Sequence, residues 1–529
     1  MTIDEQGRRV WRSIPAAPRA AFFSCLAAGY LTHLYAFTNL IPNADGLSRV
    51  FDLQQMTVSG RWFLHYASSL NQFTQMPAVI GLLSLLLLGL AAALAVDVAG
   101  LRSSIVSGAM GAAMAMFPCM GFTFMYLFTA SAYCLAIFLA VLSVWLARKG
   151  SLGWLGGVLA LALSMGTYQA YAAVSISLSV LVVFRMCLDE QATLRDTVRT
   201  GLALVGYLVA GAVVYYLVLQ IFLSVKDLEL LSYLGMDAAQ AGYPFARLPG
   251  LIFDTYKQVI AFFFLPYQPN AFATPFMAAG HLVMLVLCAV FYLRWMVGRG
   301  LHKSAWRLAG SLAMLALLPL AINFGQIISP FTAPTPLMKY AFVAVYLLGG
   351  MLLELCQQLP RPNPGRAAAA VCLAALLLSF LNTNNLLYTA ADQAHRATES
   401  YLTRLYARVE GCEGFEPGTE VVIIGAIPYS QLHSSVESYR QVDHYSVPLS
   451  TPATLNKHIY YYLNDWLNIP VDEPDEQTML AVSDSDAFQA MPLYPADGSV
   501  QLLDGRVVVK LQEQYTPKSD YELAYENRR

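Results

Sequence analysis

The sequence predicts an all-α polytopic membrane protein of about eleven transmembrane helices, carrying a small C-terminal α/β domain. Three observations predict the membrane part and its end. Hydrophobic side chains make up 57% of the 529 residues and charged ones only 12%, against about a quarter charged in ordinary soluble domains. Apolar runs near twenty residues recur through the first 390 positions, each about the length that crosses a hydrocarbon core of roughly 30 Å. Charge then returns abruptly: of the 34 acids, 21 fall after Ala390 and 13 before it. The formal net charge of −2 gives no reason to expect nucleic acid as a partner.

Eleven spans are expected, at about 20–40, 77–97, 103–118, 129–147, 152–166, 168–186, 200–223, 273–296, 306–324, 338–357 and 367–388. Arg8, Arg9, Arg12 and Arg19 precede the first, with no convincing small-residue cleavage site after it. It reads as a retained helix rather than a removed signal peptide. The third span is rich in Gly and Ala, and the fifth contains LGGVLALALSMG. Both compositions suit close packing against another helix. The eight cysteines show neither metal-ligand nor disulfide-framework spacing and read as small core hydrophobes. His33 is expected to hydrogen-bond inside the bundle, and Asp97 and Glu354 to mark inner span ends.

Orientation follows from Lys and Arg. With the N-terminus in the cytoplasm, the inner segments hold Arg8, Arg9, Arg12, Arg19, Arg102, Arg148, Lys149, Arg185, Arg195, Arg199, Arg294, Arg299, Lys303, Arg307, Arg361 and Arg366. The outer loops before the tail hold only Arg49, Arg61, Lys226, Arg247, Lys257 and Lys339. Loops 41–76 and 224–272 and the tail then face outward. Each of these loops is expected to contain an interfacial helix, at Ser48–Leu70 and Leu248–Phe264. The inner loops are short and offer neither a Gly-rich phosphate loop nor a DxD pair.

Residues 1–390 are thus a transmembrane domain, and 391–529 an external α/β domain. In the latter, Ala391–Glu410 and Pro452–Leu467 read as helices and Glu420–Ile424 as a strand. Val500–Leu503 and Val507–Leu511 flank Asp504-Gly505, the strongest short hairpin signal in the chain.

The polar groups of the outer face are few, which makes the stretch Pro42–Trp62 (PNADGLSRVFDLQQMTVSGRW) the natural place for chemistry on an anionic, lipid-borne substrate. Asp45 can take a proton from an acceptor hydroxyl within hydrogen-bond reach. Asn43-Ala44-Asp45-Gly46 is also good turn chemistry, and the two readings are compatible. Asp52 lies two helical turns on, with Arg49 between on the same face if the segment is helical; a solvated ion pair is the plainer reading. Arg61, after Ser59-Gly60, offers a bidentate, permanently charged fork for phosphate, or a headgroup contact. Lys339 is a cation near the outer end of the tenth span, placed either for phosphate or for snorkelling. Tyr168 and Gln169 open the sixth span, and Thr129, Ser131 and Tyr133 the fourth.

Four features together resemble the GtrII-type glucosyltransferases of bacterial O-antigen modification, in the GT-C membrane class. They are Asn43-Ala44-Asp45 followed by Ser59-Gly60-Arg61-Trp62, the stretch Phe122-Thr123-Phe124…Ser131-Ala132-Tyr133, Tyr168-Gln169-Ala170 opening a span, and the α/β tail. The resemblance implies a hexosyltransferase of the bacterial inner membrane, with a cytoplasmic N-terminus and a periplasmic C-terminal domain. It implies transfer of a hexose, glucose by the family's name, from a polyprenyl-phosphate donor to a lipid-linked or surface glycan. Asp45 matches the family's acidic base by position, with Arg49, Arg61 and Lys339 to hold the lipid phosphate. Asp52, Tyr168, Gln169 and Trp62 are further site candidates. Some members of the class use a divalent metal; this chain has no second outer acidic motif beyond Asp52, which argues against one and leaves no cofactor expected. The rival readings are a transporter or flippase, for which no inverted repeat or chain of intramembrane acids is seen, and an O-antigen polymerase or ligase.

Overall fold

The computed structural model describes residues 2–42, 46, 57–72, 74–230, 245–328, 334–360, 365–428, 431 and 456–517. It divides into two compact units, one formed by 1–39 and 53–385 and the other by 40–52 and 386–529.

The first unit is a helical bundle. A short helix α1 (Ile3–Ser13) opens on a reciprocal cap, in which the Thr2 hydroxyl accepts from the Glu5 N–H and the Glu5 carboxylate accepts from the Thr2 N–H. Pro15 separates it from α2 (Ala16–Thr38). There follow α3 (Pro77–Val98), α4 (Ser104–Met116), α5 (Pro118–Met125), α6 (Leu127–Ala147), α7 (Gly150–Thr167), α8 (Ala172–Leu188) and α9 (Leu194–Val225). After these come α10 (Leu248–Phe264), α11 (Pro275–Gly298), α12 (Ala305–Ile322), α13 (Ala344–Gln357) and α14 (Gly365–Glu410), of which residues 365–385 belong to this unit and the rest to the second. Among the described residues, ten helical stretches are long and apolar enough to cross a membrane, and α4 with α5 makes an eleventh, bent by 41°. The protein is a polytopic helical membrane protein.

The bend has a local cause. Phe117 is extended (φ −53°, ψ 129°) because Pro118 follows it, and proline disfavours a helical residue before it. The expectation of a span ending at 118 with a loop beyond it is therefore corrected: Pro118–Met125 is helical and wholly buried. Small residues set the tightest packing, between α2 and α4. A Cβ on Gly111 would lie 2.2 Å from the Ala21 carbonyl oxygen, and one on Gly157 of α7 would lie 2.6 Å from that of Ser143 in α6. Backbones this close leave no room for a side chain. Gly111→Leu is expected to cost about 1–3 kcal/mol by overpacking, read as a lower unfolding temperature in detergent; an unchanged temperature would contradict this packing.

The loops that the Lys and Arg count groups on the N-terminal side are tied together by hydrogen bonds. At one end Trp145 Nε1 donates to Asp97 (2.8 Å), Arg185 to the Ala99 carbonyl (3.1 Å), and Arg307 to carbonyls of Asp189, Glu190 and Ala192. Glu354 accepts the backbone N–H groups of Arg102 (2.7 Å) and Ser103 (3.1 Å). It thus fixes the backbone leading into α4, whose N-cap is Ser103 with its hydroxyl accepting from the Val106 N–H at 3.4 Å, and sets a carboxylate near the positive end of that helix. His33 lies deep in the bundle, its Nε2 2.9 Å from the Ala115 carbonyl. All eight cysteines are free thiols.

Two expectations on connecting segments divide. Leu248–Phe264 is a helix with the expected bounds. Ser48–Leu70 is not one helix across its described part: it forms a 3₁₀ turn (Thr57–Ser59), a tight turn at Gly60 and one turn of helix (Leu64–Ser68). Thr57, Val58, Ser59, Trp62 and Leu64 are buried rather than laid on a surface. The positive φ of Gly60 (78°) is what breaks the helix.

The expected last span and the helix after it are one element. Helix α14 runs 46 residues, about 69 Å at 1.5 Å per residue, because neither Gly nor Pro interrupts Tyr388–Ala391. In the second unit, β1 (Val421–Ile424), α15 (Asn456–Tyr461), α16 (Glu476–Ser483), α17 (Asp486–Ala490), β2 (Val500–Leu503) and β3 (Arg506–Lys510) follow. The sheet order is β1-β3-β2, with β1 parallel and β2 antiparallel to β3. The hairpin turns on Asp504 (φ 49°) and Gly505 (φ 78°), the left-handed pair that a two-residue loop requires. Val422, Ile423, Leu463, Phe488 and Val508 form part of its core. The helix expected over Pro452–Leu467 is described from Asn456, and it loosens into a π turn at Tyr462–Trp466.

Candidate functional site

The turn Ser59-Gly60-Arg61 is held from two helices. Gly60 closes it by donating its N–H to the Thr57 carbonyl at 2.8 Å. Tyr215, from the middle of α9, donates its hydroxyl to the Gly60 carbonyl at 3.0 Å. Gln169, in the 3₁₀ turn before α8, donates to the Ser59 carbonyl (2.9 Å) and to the Tyr215 hydroxyl (3.0 Å). Buried carbonyls need such partners, and the clamp fixes where the next side chain goes.

That side chain is Arg61. Its guanidinium donates to the Tyr133 hydroxyl at 3.4 Å and lies over the Tyr168 ring, 4.8 Å from the centroid. Tyr133 and Tyr168 stack at 4.6 Å, and Tyr171 stands edge-on to both, at 6.0 and 5.1 Å. Trp62 packs on Phe222 (5.7 Å, nearly parallel) and fills the space that Gly166 leaves, where a Cβ would fall 2.6 Å from its ring. The adjoining Phe63 N–H donates to the Gly166 carbonyl at 2.7 Å.

The tyrosine set continues to a second cation. Tyr171 meets Tyr340 at 6.4 Å, and Tyr340 donates its hydroxyl to the Met114 carbonyl at 3.1 Å. The residue before it, Lys339, is 4% exposed. Its ammonium donates to the Asn270 carbonyl at 3.0 Å and sits 5.8 Å from the Phe262 ring. Holding an ammonium out of water is costly unless charge or hydrogen bonds compensate. One carbonyl engages one of its three donors.

Of the residues singled out in the sequence, Arg61, Tyr168 and Lys339 belong to this continuous set, and Gln169 and Trp62 support the Arg61 turn. Asp45, Arg49 and Asp52 lie outside the described residues. Sequence reasoning missed Tyr215, Tyr340 and Asn270. Among the described residues, no three or more His, Cys, Asp or Glu side chains gather as a metal ion would require.

The family model for the glucosyl transferase GtrII matches residues 34–352. The chain belongs to the GtrII family. The matched stretch runs from within α2 to within α13 and contains both Arg61 and Lys339, so the tyrosine set with its two cations lies in the GtrII part. No curated protein sequence matches the chain. Membership makes this polytopic chain a glycosyltransferase, with a sugar donor, a glycan acceptor and lipid as its classes of partner.

Proposed function

We propose that the protein moves glucose from a polyprenyl-phosphate donor to a surface glycan such as O-antigen, at the outer face of the bacterial inner membrane. The observation that carries this reading is the pair of cations, Arg61 and Lys339, joined through Tyr133, Tyr168, Tyr171 and Tyr340 within the GtrII-matched part. A lipid phosphate is an anion that must be held beside apolar surface. Arg61 suits it through its fork, and Lys339 through donors not taken by Asn270. The Lys and Arg count supports a cytoplasmic N-terminus, which puts this end and the domain after residue 390 in the periplasm.

The reaction is a single displacement with inversion, in a GT-C manner. The acceptor hydroxyl oxygen attacks the anomeric carbon while Asp45 takes its proton. The bond from that carbon to the phosphate oxygen breaks, and polyprenyl phosphate departs with its electron pair. Arg49, Arg61 and Lys339 stabilise that growing charge, so the leaving group needs no proton. Tyr168 offers a ring face to the sugar.

Lys339→Met tests the cation role at a buried site, since it keeps the length of the side chain and removes the charge. In vesicles supplied with polyprenyl-phosphate glucose and a lipid-linked glycan, turnover is expected to fall about 10²-fold, with folding retained because methionine suits a buried position. Transfer at the parent rate would remove Lys339 from the mechanism.

A further inference from the structure

A second feature of the bundle lies among α4, α11, α13 and α14, away from the tyrosine set. A cavity of about 130 Å³ opens there, lined by Ile105, Met110, Leu287, Phe291, Leu353 and Leu373 among others. Its lining is apolar. Two of its lining side chains have their polar atoms engaged elsewhere: the Tyr346 hydroxyl with His281 at 2.7 Å, and the Cys372 thiol with the Gly280 carbonyl at 3.2 Å. The cavity approaches the roughly 150 Å³ of an apolar void that stays dry and admits a hydrocarbon guest. Gly349 and Gly350 keep it open, since a Cβ on Gly350 would press on Met110 and Val106 at 3.0–3.2 Å. On its flank Ile105 is 80% exposed and Val371 70%, so in a bilayer it adjoins lipid rather than water.

One rim of this cavity is cationic. Arg366 follows Gly365, which abuts Phe291 and Leu287 of the lining. It stands three, four and seven residues before Ala369, Ala370 and Leu373, on the same face of α14. Arg102 is joined through its backbone N–H to Glu354, next to the lining residue Leu353. Arg294 is one turn beyond Phe291 on α11. The side chains of Arg102 and Arg366 are exposed and make no ion pair among the described residues. Glu354, the acid at this rim, is occupied by the backbone N–H groups of Arg102 and Ser103.

We propose that this crevice binds an anionic membrane phospholipid, with one acyl chain in the cavity and the phosphate between Arg102 and Arg366. The charge complementarity selects the headgroup and the apolar lining takes the chain. Basic pockets between membrane helices hold anionic lipid in this way. The site is separate from the proposed sugar transfer and does not depend on it.

The test uses the full chain, delipidated in a neutral detergent and offered an equimolar mixture of dioleoylphosphatidylglycerol and dioleoylphosphatidylcholine. Retained lipid is counted by native mass spectrometry. Phosphatidylglycerol is expected in roughly 25-fold excess, about fivefold from each of the two arginines. The double variant Arg102→Gln with Arg366→Gln should bring the ratio close to one, each arginine being worth about fivefold. It leaves the Arg102 backbone bond to Glu354 in place, and an unchanged unfolding temperature verifies the fold. Ala370→Phe, at the exposed edge of the cavity, should lower retention of both lipids. Equal retention by the parent chain, or an excess that survives the double variant, would overturn the proposal. So would preferential retention of undecaprenyl phosphate when it is added as a third component, because the occupant would then be the carrier lipid.

Discussion

Arg61→Gln is expected to lower sugar transfer by about 10²–10³-fold, the usual consequence of removing one preorganised donor from developing negative charge. The variant should still fold. The backbone of the turn is held by Tyr215 and Gln169 rather than by the Arg61 side chain. Of its contacts, the bond to Tyr133 is long, at 3.4 Å, and contributes about 1 kcal/mol or less, and the contact to the Tyr168 ring a similar amount; the unfolding temperature of the variant reads the whole cost. A large loss of activity beside a small loss of stability is the signature of a group that acts on substrate. Arg61→Lys should recover only part of the rate, since an ammonium cannot present two parallel N–H groups to a phosphate. Near-parental turnover in Arg61→Gln would leave the guanidinium as a packing element of the tyrosine set.

Asp45→Asn carries the other large effect, a fall of about 10²–10⁴-fold if the carboxylate is the base. This substitution separates the two readings that the sequence leaves open. Asparagine forms an Asx turn as well as aspartate does, so a residue needed only for the Asn43-Ala44-Asp45-Gly46 turn would tolerate it. A residue needed to accept a proton would not. Asp45→Glu, which keeps the carboxylate but moves it, is expected to retain a measurable fraction of the rate. Full activity in Asp45→Asn would assign the position to the turn.

The membrane architecture was legible because hydrophobic run length responds directly to bilayer thickness. The expected spans at 77–97 and 129–147 correspond to Pro77–Val98 and Leu127–Ala147. Where the reading went astray, a local residue decided. Pro118 turned an expected loop into a bent, buried continuation, and the absence of a breaker near Tyr388 merged a span with the helix after it. The site was legible by halves. Arg61 and Lys339 stood out as cations beside spans, and Tyr168 and Gln169 as polar residues opening one. Tyr215 and Tyr340 did not, because a tyrosine in an apolar run carries no sign of the carbonyl it will meet. The Gly60 and Met114 carbonyls that they reach are 155 and 226 residues away in sequence. Asn270 was invisible for a related reason: it contributes a backbone oxygen, which every residue has.

The most direct test of the central claim is transfer from defined donors by the purified chain in sealed vesicles, with acceptor glycan on the face opposite the N-terminus. Labelled glucose should pass from polyprenyl monophosphate to the acceptor with inversion at the anomeric carbon, and none should pass from a nucleotide sugar. Transfer from the nucleotide sugar alone, or only to acceptor on the N-terminal face, would contradict the account.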